Sequence, residues 1–382
     1  MDRQERRKKT QKIQVTQPTD VFKSIGINML DDYTLMKILE HFSLGKCFYL
    51  RSVCRRMKVL LEDIIRRTER VDMQRMNGNR WWKSCGQISH QTIDDLDLNV
   101  DFEKLLKSYL VYTPRLKAIH IYMDTIDEKL IQLLVESDFF RERTLEHLEI
   151  TNCTFIKFCS LSAEETWNEF FAGLQQLKHF VFVDNSGILP PARKFLRSLA
   201  KCEHLEALAL DLDQLKSSRV MILKDISFSN LRIFQLTSNL LTLSPHLSPN
   251  LLKNIEVINF RNVCLSPNQL QVFQDHLPNL RILNFALYSG GFDTNDYNSL
   301  FQCICLFQNL EELRIGNQND ELEDLQWGNV FASSPSPMYK LREIRLSNVH
   351  LKADFVRGLL ENCPNLRVFY ASCFLSTGKK NG

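Results

Sequence analysis

A short apolar phrase, Leu-x-x-Leu-x-Leu with Ile or Phe accepted for Leu, opens at Leu116, Leu145, Leu177, Leu205, Leu231, Ile255, Leu280, Leu310, Leu341 and Leu366. The starts lie 24 to 32 residues apart. Recurrence at such a period means one supersecondary unit stacked on copies of itself, because a unit this short cannot bury its apolar side alone. Alternation with a period of two makes the phrase a strand, while the rest of the unit carries a helical stripe. Leu270, Phe273 and Leu277 share one helical face behind Ser266-Pro267, and Phe355 with Leu359 repeats the arrangement ahead of Cys363-Pro364-Asn365. The expected fold is an α/β solenoid, curved because helices are wider than strands, with parallel strands inside and helices outside.

This strand-and-helix grammar resembles the leucine-rich repeat. Positions 1, 4 and 6 of each unit then face the core, and positions 3, 5 and 7 face the concave side. Position 5 reads His120, Glu149, Val181, Ala209, Gln235, Asn259, Asn284, Arg314, Arg345 and Tyr370. Position 7 reads Tyr122, Thr151, Val183, Asp211, Thr237, Arg261, Ala286, Gly316, Ser347 and Ser372. Candidate contacts for a ligand of the concave face are therefore His120, Tyr122, Glu149, Arg261, Arg314, Arg345 and Tyr370. Arg314 and Arg345 should stack on adjacent strands, with Glu312 and Glu343 at position 3 of the same strands placed to neutralise them. Asn185 and Asn239 fall at position 9, where an asparagine can bond the backbone of the turn.

Charge narrows the class of partner. The chain carries +3, and its first twelve residues hold Arg3, Arg6, Arg7, Lys8, Lys9 and Lys12 against Asp2 and Glu5, a local +4 that leaves −1 for residues 13–382. Phosphate neutralisation needs a coherent basic face, so nucleic acid is not an expected partner. Eleven cysteines, an odd number, are too sparse for a disulfide framework at 382 residues, and the charged start lacks the apolar run of a signal peptide. No run of about 18 apolar residues occurs, so no membrane span is expected. The chain reads as cytoplasmic, with Arg6-Arg7-Lys8-Lys9 either a solvated tail or a nuclear import signal.

The expected organisation is an unfolded basic tail over 1–24, a helical module over 25–68, a connector with an atypical capping repeat over 69–115, and repeats over 116–382. In the module, Leu35, Ile38, Leu39 and Phe42 fall at i, i+3, i+4, i+7 behind the capping pair Asp31-Asp32, and a second stripe runs from Leu50 through Val53, Cys54 and Met57 to Ile65. Val71-Asp72-Met73 is a candidate short strand. Ile93-x-x-Leu96-x-Leu98 is a candidate first repeat, with Trp81 and Trp82 packing in the same cap. The Ser-Pro pairs at Ser334 and Ser336 mark a surface loop.

The run from Leu30 to Met57, in which Ile38 is followed at the family's spacing by Val53-Cys54-Arg55-Arg56, resembles an F-box. An F-box ahead of leucine-rich repeats resembles the F-box/leucine-rich-repeat substrate receptors of cullin-RING ubiquitin ligases. Asp31 stands where the family has proline, Gly45 where it has a second proline, and Met57 where it has tryptophan. The resemblance implies that the module docks the Skp adaptor, and through it a cullin, while the repeats hold a protein substrate. Leu30, Leu35, Ile38, Leu39, Leu50, Val53 and Cys54 are the implied adaptor contacts, with Phe42 and Met57 in support. The other reading of the same residues is a helical cap on a repeat scaffold that has no ligase partner.

Catalysis and cofactors find no support in the sequence. His147, Cys153 and Cys159, and Cys303-x-Cys305, lack paired zinc spacing, and no nucleophile, base and orienting acid can be assembled. The expectation is a non-enzymatic chain without metal or cofactor.

Overall fold

The computed structural model describes residues 29–42, 44–74, 111–122, 125–126, 128–136, 145–155, 162–187, 192–211, 226–237, 253–265, 267–287, 294–317, 326–327, 337–347, 349–351 and 353–372. The basic tail, Trp81 and Trp82, the phrase at 93–98, Cys159, Asn239, Ser334 and Ser336 lie outside the described residues.

Three helices lead: α1 (Asp32–Leu39), α2 (Leu44–Leu50) and α3 (Arg55–Arg67). Asp31 caps α1, its carboxylate accepting from Thr34 N–H at 2.7 Å. The Cys54 sulfur accepts from Met57 N–H and opens α3 in the same way. Arg56 crosses from α3 to Asp32 at 2.7 Å and to the Leu30 carbonyl, tying the two helix starts together. Leu35, Leu39, Cys47, Met57, Leu60, Leu61 and Ile65 close a small core of their own.

Helix α3 runs through Thr68 and Glu69 into β1 (Arg70–Gln74), which pairs in parallel with β2 (Ala118–Tyr122). The short Val71 strand thus supplies the neighbour of β2 on this side.

From β2 the main sheet continues through β4 (His147–Thr151), β6 (His179–Val183), β8 (Ala207–Asp211), β9 (Ile233–Thr237) and β10 (Val257–Cys264). It ends with β11 (Ile282–Leu287), β12 (Glu312–Asn317), β14 (Glu343–Ser347) and β16 (Val368–Ser372), giving eleven parallel strands in chain order. Chain order within one parallel sheet is what a solenoid requires, each unit touching only its neighbours. Short strands follow the main ones at β3 (Thr125–Ile126), β5 (Thr154–Phe155) and β7 (Ser186–Gly187), which pair with each other, as do β13 (Gln326–Trp327) and β15 (His350–Leu351). The outer side carries α4 (Glu128–Glu136), α5 (Ser162–Gly173), α6 (Ala192–Leu199), α7 (Pro267–His276), α8 (Thr294–Cys305) and α9 (Ala353–Asn362). This is an α/β solenoid of the leucine-rich-repeat kind.

Inside, position 4 and position 6 side chains form a continuous core with the inner faces of the helices. Its densest part is aromatic: Trp167, Phe170, Phe171, Phe180, Phe182 and Phe195 lie with neighbouring centroids 4.9 to 6.2 Å apart. Asn185 is buried and does what its position predicts, accepting from Cys153 N–H at 2.9 Å and donating to the Ile150 carbonyl at 3.0 Å.

Each unit is locked to the next where the strands begin. The carbonyl at position 2 accepts from the N–H groups of positions 2 and 3 in the following unit, as Lys117 O does from Glu146 and His147 at 2.9 and 3.0 Å. The side chains of this row alternate in sign: Lys117, Glu146, Lys178, Glu206, Arg232, Glu256, Arg281, Glu311, Arg342. Pairs form along it, Lys178–Glu146 at 2.9 Å, Arg232–Glu256 at 2.8 Å and Arg281–Glu311 at 3.0 Å, with Arg281 also 3.5 Å from Glu256. Opposite charges directly across a strand pair favour the native register over a slip by one unit.

Candidate docking surfaces

Two surfaces carry the candidate residues. The first is the helical module. Leu35 and Leu39 are each 1% exposed, and Met57 is buried with them, while Leu30 and Leu50 are half-buried against the same cluster. Leu35 and Leu39 are closed inside the module and are not available to a partner, which corrects their assignment as adaptor contacts, whereas Leu30 and Leu50 keep part of their surface exposed. The stripe was read correctly as one helical face, but its centre faces α3 and its edge faces solvent. Ile38 on α1 and Phe42 in the turn that follows it form that edge, four residues apart, and both are exposed. Tyr49 and Val53, again four residues apart, do the same from α2 into the turn that follows, Val53 being 62% exposed. Cys54 is exposed as well. Met29 and Tyr33 add to the exposed apolar set, and neither was singled out in the sequence. The Cys47 sulfur, 3.9 Å from the Phe42 carbonyl and 4.0 Å from that of Leu39, closes α2 onto the end of α1.

The module joins the solenoid through a stack. Arg51 lies over the Tyr112 ring at 4.5 Å and the Phe48 ring at 5.6 Å, and reaches Glu62 on α3 at 3.3 Å. Phe48 touches both the module core and the repeat core.

The second surface is the concave face, where the register places the predicted rows as ladders. His120, Glu149, Val181, Ala209, Gln235, Asn259, Asn284, Arg314, Arg345 and Tyr370 are successive partners. At the first end, Glu149 takes His147 Nε2 at 2.5 Å and lies 3.7 Å from His120 and 3.6 Å from Arg70. The His147 bond and these cations hold its carboxyl below the usual range. His120 Nε2 is 2.8 Å from Thr151 Oγ1, and Tyr122 packs tilted on the His120 ring. His147 stacks on His179 at 5.1 Å, and burial, followed by the His147 charge, lowers the His179 pKa. At the other end, Arg314 pairs with Glu312 and lies 3.7 Å from Glu343, which Arg345 also contacts. Two arginines meet two glutamates, so this pair is a self-neutralised ladder. Tyr370 is exposed on the last strand.

Between the two ends lies a feature the sequence reading passed over. Asn284 Nδ2 donates to Asn259 Oδ1 at 3.0 Å, and Asn259 Nδ2 donates to Gln235 Oε1 at 3.2 Å. The three amides form a ladder across β9, β10 and β11. It borders a hollow of about 350 Å³ lined by Gln235, Thr237, Arg261, Asn284, Ala286 and Gly316, with Asp184 at its far side. A Cβ on Gly316 would meet nothing within 4 Å, so the floor is open. The signal lay in the position 5 column, where Gln, Asn and Asn stand in succession, but it has meaning only once the strands are in register.

Among the described residues no cluster of three or more His, Cys, Asp or Glu could hold a metal, and no helix is long and apolar enough to cross a membrane. Cys153, named earlier with His147, is buried and donates to the carbonyls of Ile121 and Thr151. Burial pushes the thiols of Cys202 and Cys363 up to about 12 and that of Cys47 to about 11.

No family model matches the chain, and no curated protein matches it. Among solved structures it is similar to a chain of the Rad7–Elc1 complex of yeast, at 15% identity and a TM-score of 0.41 over 73% of this chain and 76% of that one. It is also similar to internalin C2 of Listeria monocytogenes, at 14% identity and a TM-score of 0.32 over 70% and 84%.

Proposed function

We propose that this chain is the substrate-recognition adaptor of a Skp-cullin-F-box ubiquitin ligase, its helical module docking the Skp adaptor and its repeats holding a protein substrate. The observation that carries the reading is the contrast within the module. Its own core is closed by Leu39, Leu61 and their neighbours, yet Ile38, Phe42, Tyr49 and Val53 remain exposed. A cap that served only to seal the solenoid would turn its apolar side chains onto the first unit, whereas a docking module presents some of them outward. The resemblance of residues 30–57 to an F-box supplies the identity of the partner. The chain itself does no chemistry in this reading. Two binding surfaces on one body raise the effective concentration of substrate near the ligase.

The test is affinity purification from cell extract with the intact chain and with an Ile38→Arg, Val53→Arg double variant, read by mass spectrometry. The Skp adaptor and cullin are expected with the intact chain and absent with the variant, circular dichroism being the same for both. If neither protein accompanies the intact chain, the module is a cap and the chain is a repeat-based protein-binding scaffold.

A further inference from the structure

The hollow in the concave face is dipolar, and its charged groups are not spent on each other. Among the described residues Arg261 has no hydrogen-bond or ion-pair partner, in contrast with Arg314 and Arg345, which are both neutralised. Arg261 is the register partner of Thr237 on the neighbouring strand, and Gln235 lies two residues before Thr237 on the same face. The amide ladder runs in one direction: both amide N–H groups donate toward β9, so Gln235 has its carbonyl occupied and, among the described residues, no acceptor for its own Nε2. Hydrogen bonds in a chain polarise one another, which strengthens the donor at the open end. A guanidinium, a hydroxyl and a polarised amide donor therefore meet at adjoining positions of β9 and β10.

The opposite side of the hollow is acidic. Asp184, exposed and held at φ 56° in the turn after β6, lines it. Asp211, on the strand between, is buried and already bonded. Beside the donors runs an apolar strip, Ile233, Val257 and Ile282, in register at position 3. One cation facing one exposed carboxylate is a poor match for a polyanion, which needs several cations in a row. It suits a polypeptide.

We propose that this hollow binds an extended protein segment whose acidic side chain sits on Arg261, Thr237 and Gln235 and whose basic side chain reaches Asp184. Strand β6 is three steps from β10, through β8 and β9, a span of about 14 Å at ~4.8 Å per step, which an extended peptide covers in about four residues. The acidic and basic side chains are therefore four residues apart in the segment. This rests on the concave face being the protein-binding surface, and it does not depend on what the helical module binds.

The experiment uses the full chain and dye-labelled heptapeptides read by fluorescence anisotropy at low and high salt. The first peptide is Gly-Glu-Ala-Ala-Ala-Lys-Gly. Others place Glu and Lys side by side, replace both by Gln, or replace Glu by phosphoserine, and a labelled single-stranded oligonucleotide serves as the polyanion. The spaced Glu/Lys peptide is expected to bind about tenfold more tightly than the Gln peptide, the scale of one charge-assisted hydrogen bond, and to weaken with salt. Arg261→Gln should erase that preference, and Asp184→Asn should erase only the preference for Lys four residues after Glu. Tighter binding of the phosphoserine peptide would assign the anion as phosphate; equal or weaker binding would assign it as carboxylate. Equal affinity for all peptides, a preference that survives Arg261→Gln, or stronger binding of the oligonucleotide would overturn the proposal. The Ile38→Arg, Val53→Arg variant should bind the peptides unchanged, so a failed adaptor capture and a failed peptide experiment are told apart.

Discussion

The helical module and the repeats use apolar side chains in opposite ways. In the repeats the aromatic and aliphatic side chains at positions 4 and 6 are almost all buried, and the concave face mixes polar and charged residues with a few aliphatic ones. The module has a core of seven buried side chains and exposes as many large apolar ones. A stacked array can bury everything because each unit has a neighbour on either side. A module of about forty residues has only itself, and what it leaves exposed is what a partner can cover.

The largest expected effect separates the two cores. Phe171 lies within 5.7 Å, centroid to centroid, of Trp167, Phe170, Phe180 and Phe195, so Phe171→Ala opens a void in the aromatic part of the array. A loss of about 3–5 kcal/mol is expected, seen as a lower midpoint of the main thermal transition. Leu61→Ala removes a side chain of the module that is fully buried and should cost about 2–5 kcal/mol, but locally. The module should melt early while the near-ultraviolet dichroism of the repeat aromatics stays in place. Equal lowering of the main transition by both variants would show that the stack of Arg51 on Tyr112 fuses module and repeats into one cooperative unit.

Acid should act on the first repeats before the last. Burial lowers the folded pKa of His179, so the unfolded chain takes up its proton first, and the stability this represents is present above the ordinary histidine value and lost as pH falls below it. The depressed carboxyl of Glu149 works in the same direction at lower pH, its contribution present above the ordinary glutamate value and lost as pH falls through the folded one. Hydrogen exchange between pH 7 and pH 5 should show loss of protection in β4 and β6 ahead of β12 and β14. His179→Gln should flatten the upper part of that dependence.

What was legible in the sequence follows from how each feature is encoded. The solenoid and the membership of every concave row could be read directly, because a period of two within the strand and a recurring phrase leave no freedom of face or register. Surface and core in the module could not be separated in this way. A stripe at i, i+3, i+4, i+7 identifies a helical face, but Leu35 and Leu39 differ from Ile38 and Phe42 only in what α3 covers, and no spacing carries that information. The amide ladder of Gln235, Asn259 and Asn284 and the alternating row from Lys117 to Arg342 are a third kind. Both are written in single columns of the repeat and become visible only when the units are aligned one on another.

The alternating row offers a smaller test of the array. Glu256 lies between Arg232 and Arg281, within 3.5 Å of both, so Glu256→Lys sets three cations in succession where the sign had changed at each step. Exposed pairs are individually weak, and a loss of about 1 kcal/mol or less is expected, recovered at high salt. A loss that salt does not relieve would mean that the Glu256 stem, and not its charge, supports the rim.

The smallest effect on stability is expected where the effect on partnership should be greatest. Ile38 and Val53 are exposed, are not members of the module core, and lie outside the Arg51 stack, so the Ile38→Arg, Val53→Arg variant should unfold within about 0.5 kcal/mol of the intact chain. Leu39→Arg, one residue along the same helix, would bury a cation among Met57, Leu61 and Ile65 and melt the module. Loss of a partner in that variant would say nothing about where the partner sits. The exposed pair gives an interpretable result because stability and binding are expected to part there. If chemical denaturation shows the double variant to be substantially destabilised, Ile38 and Val53 belong to the fold, and the contrast between a self-sufficient array and a module completed by its partner has to be drawn elsewhere.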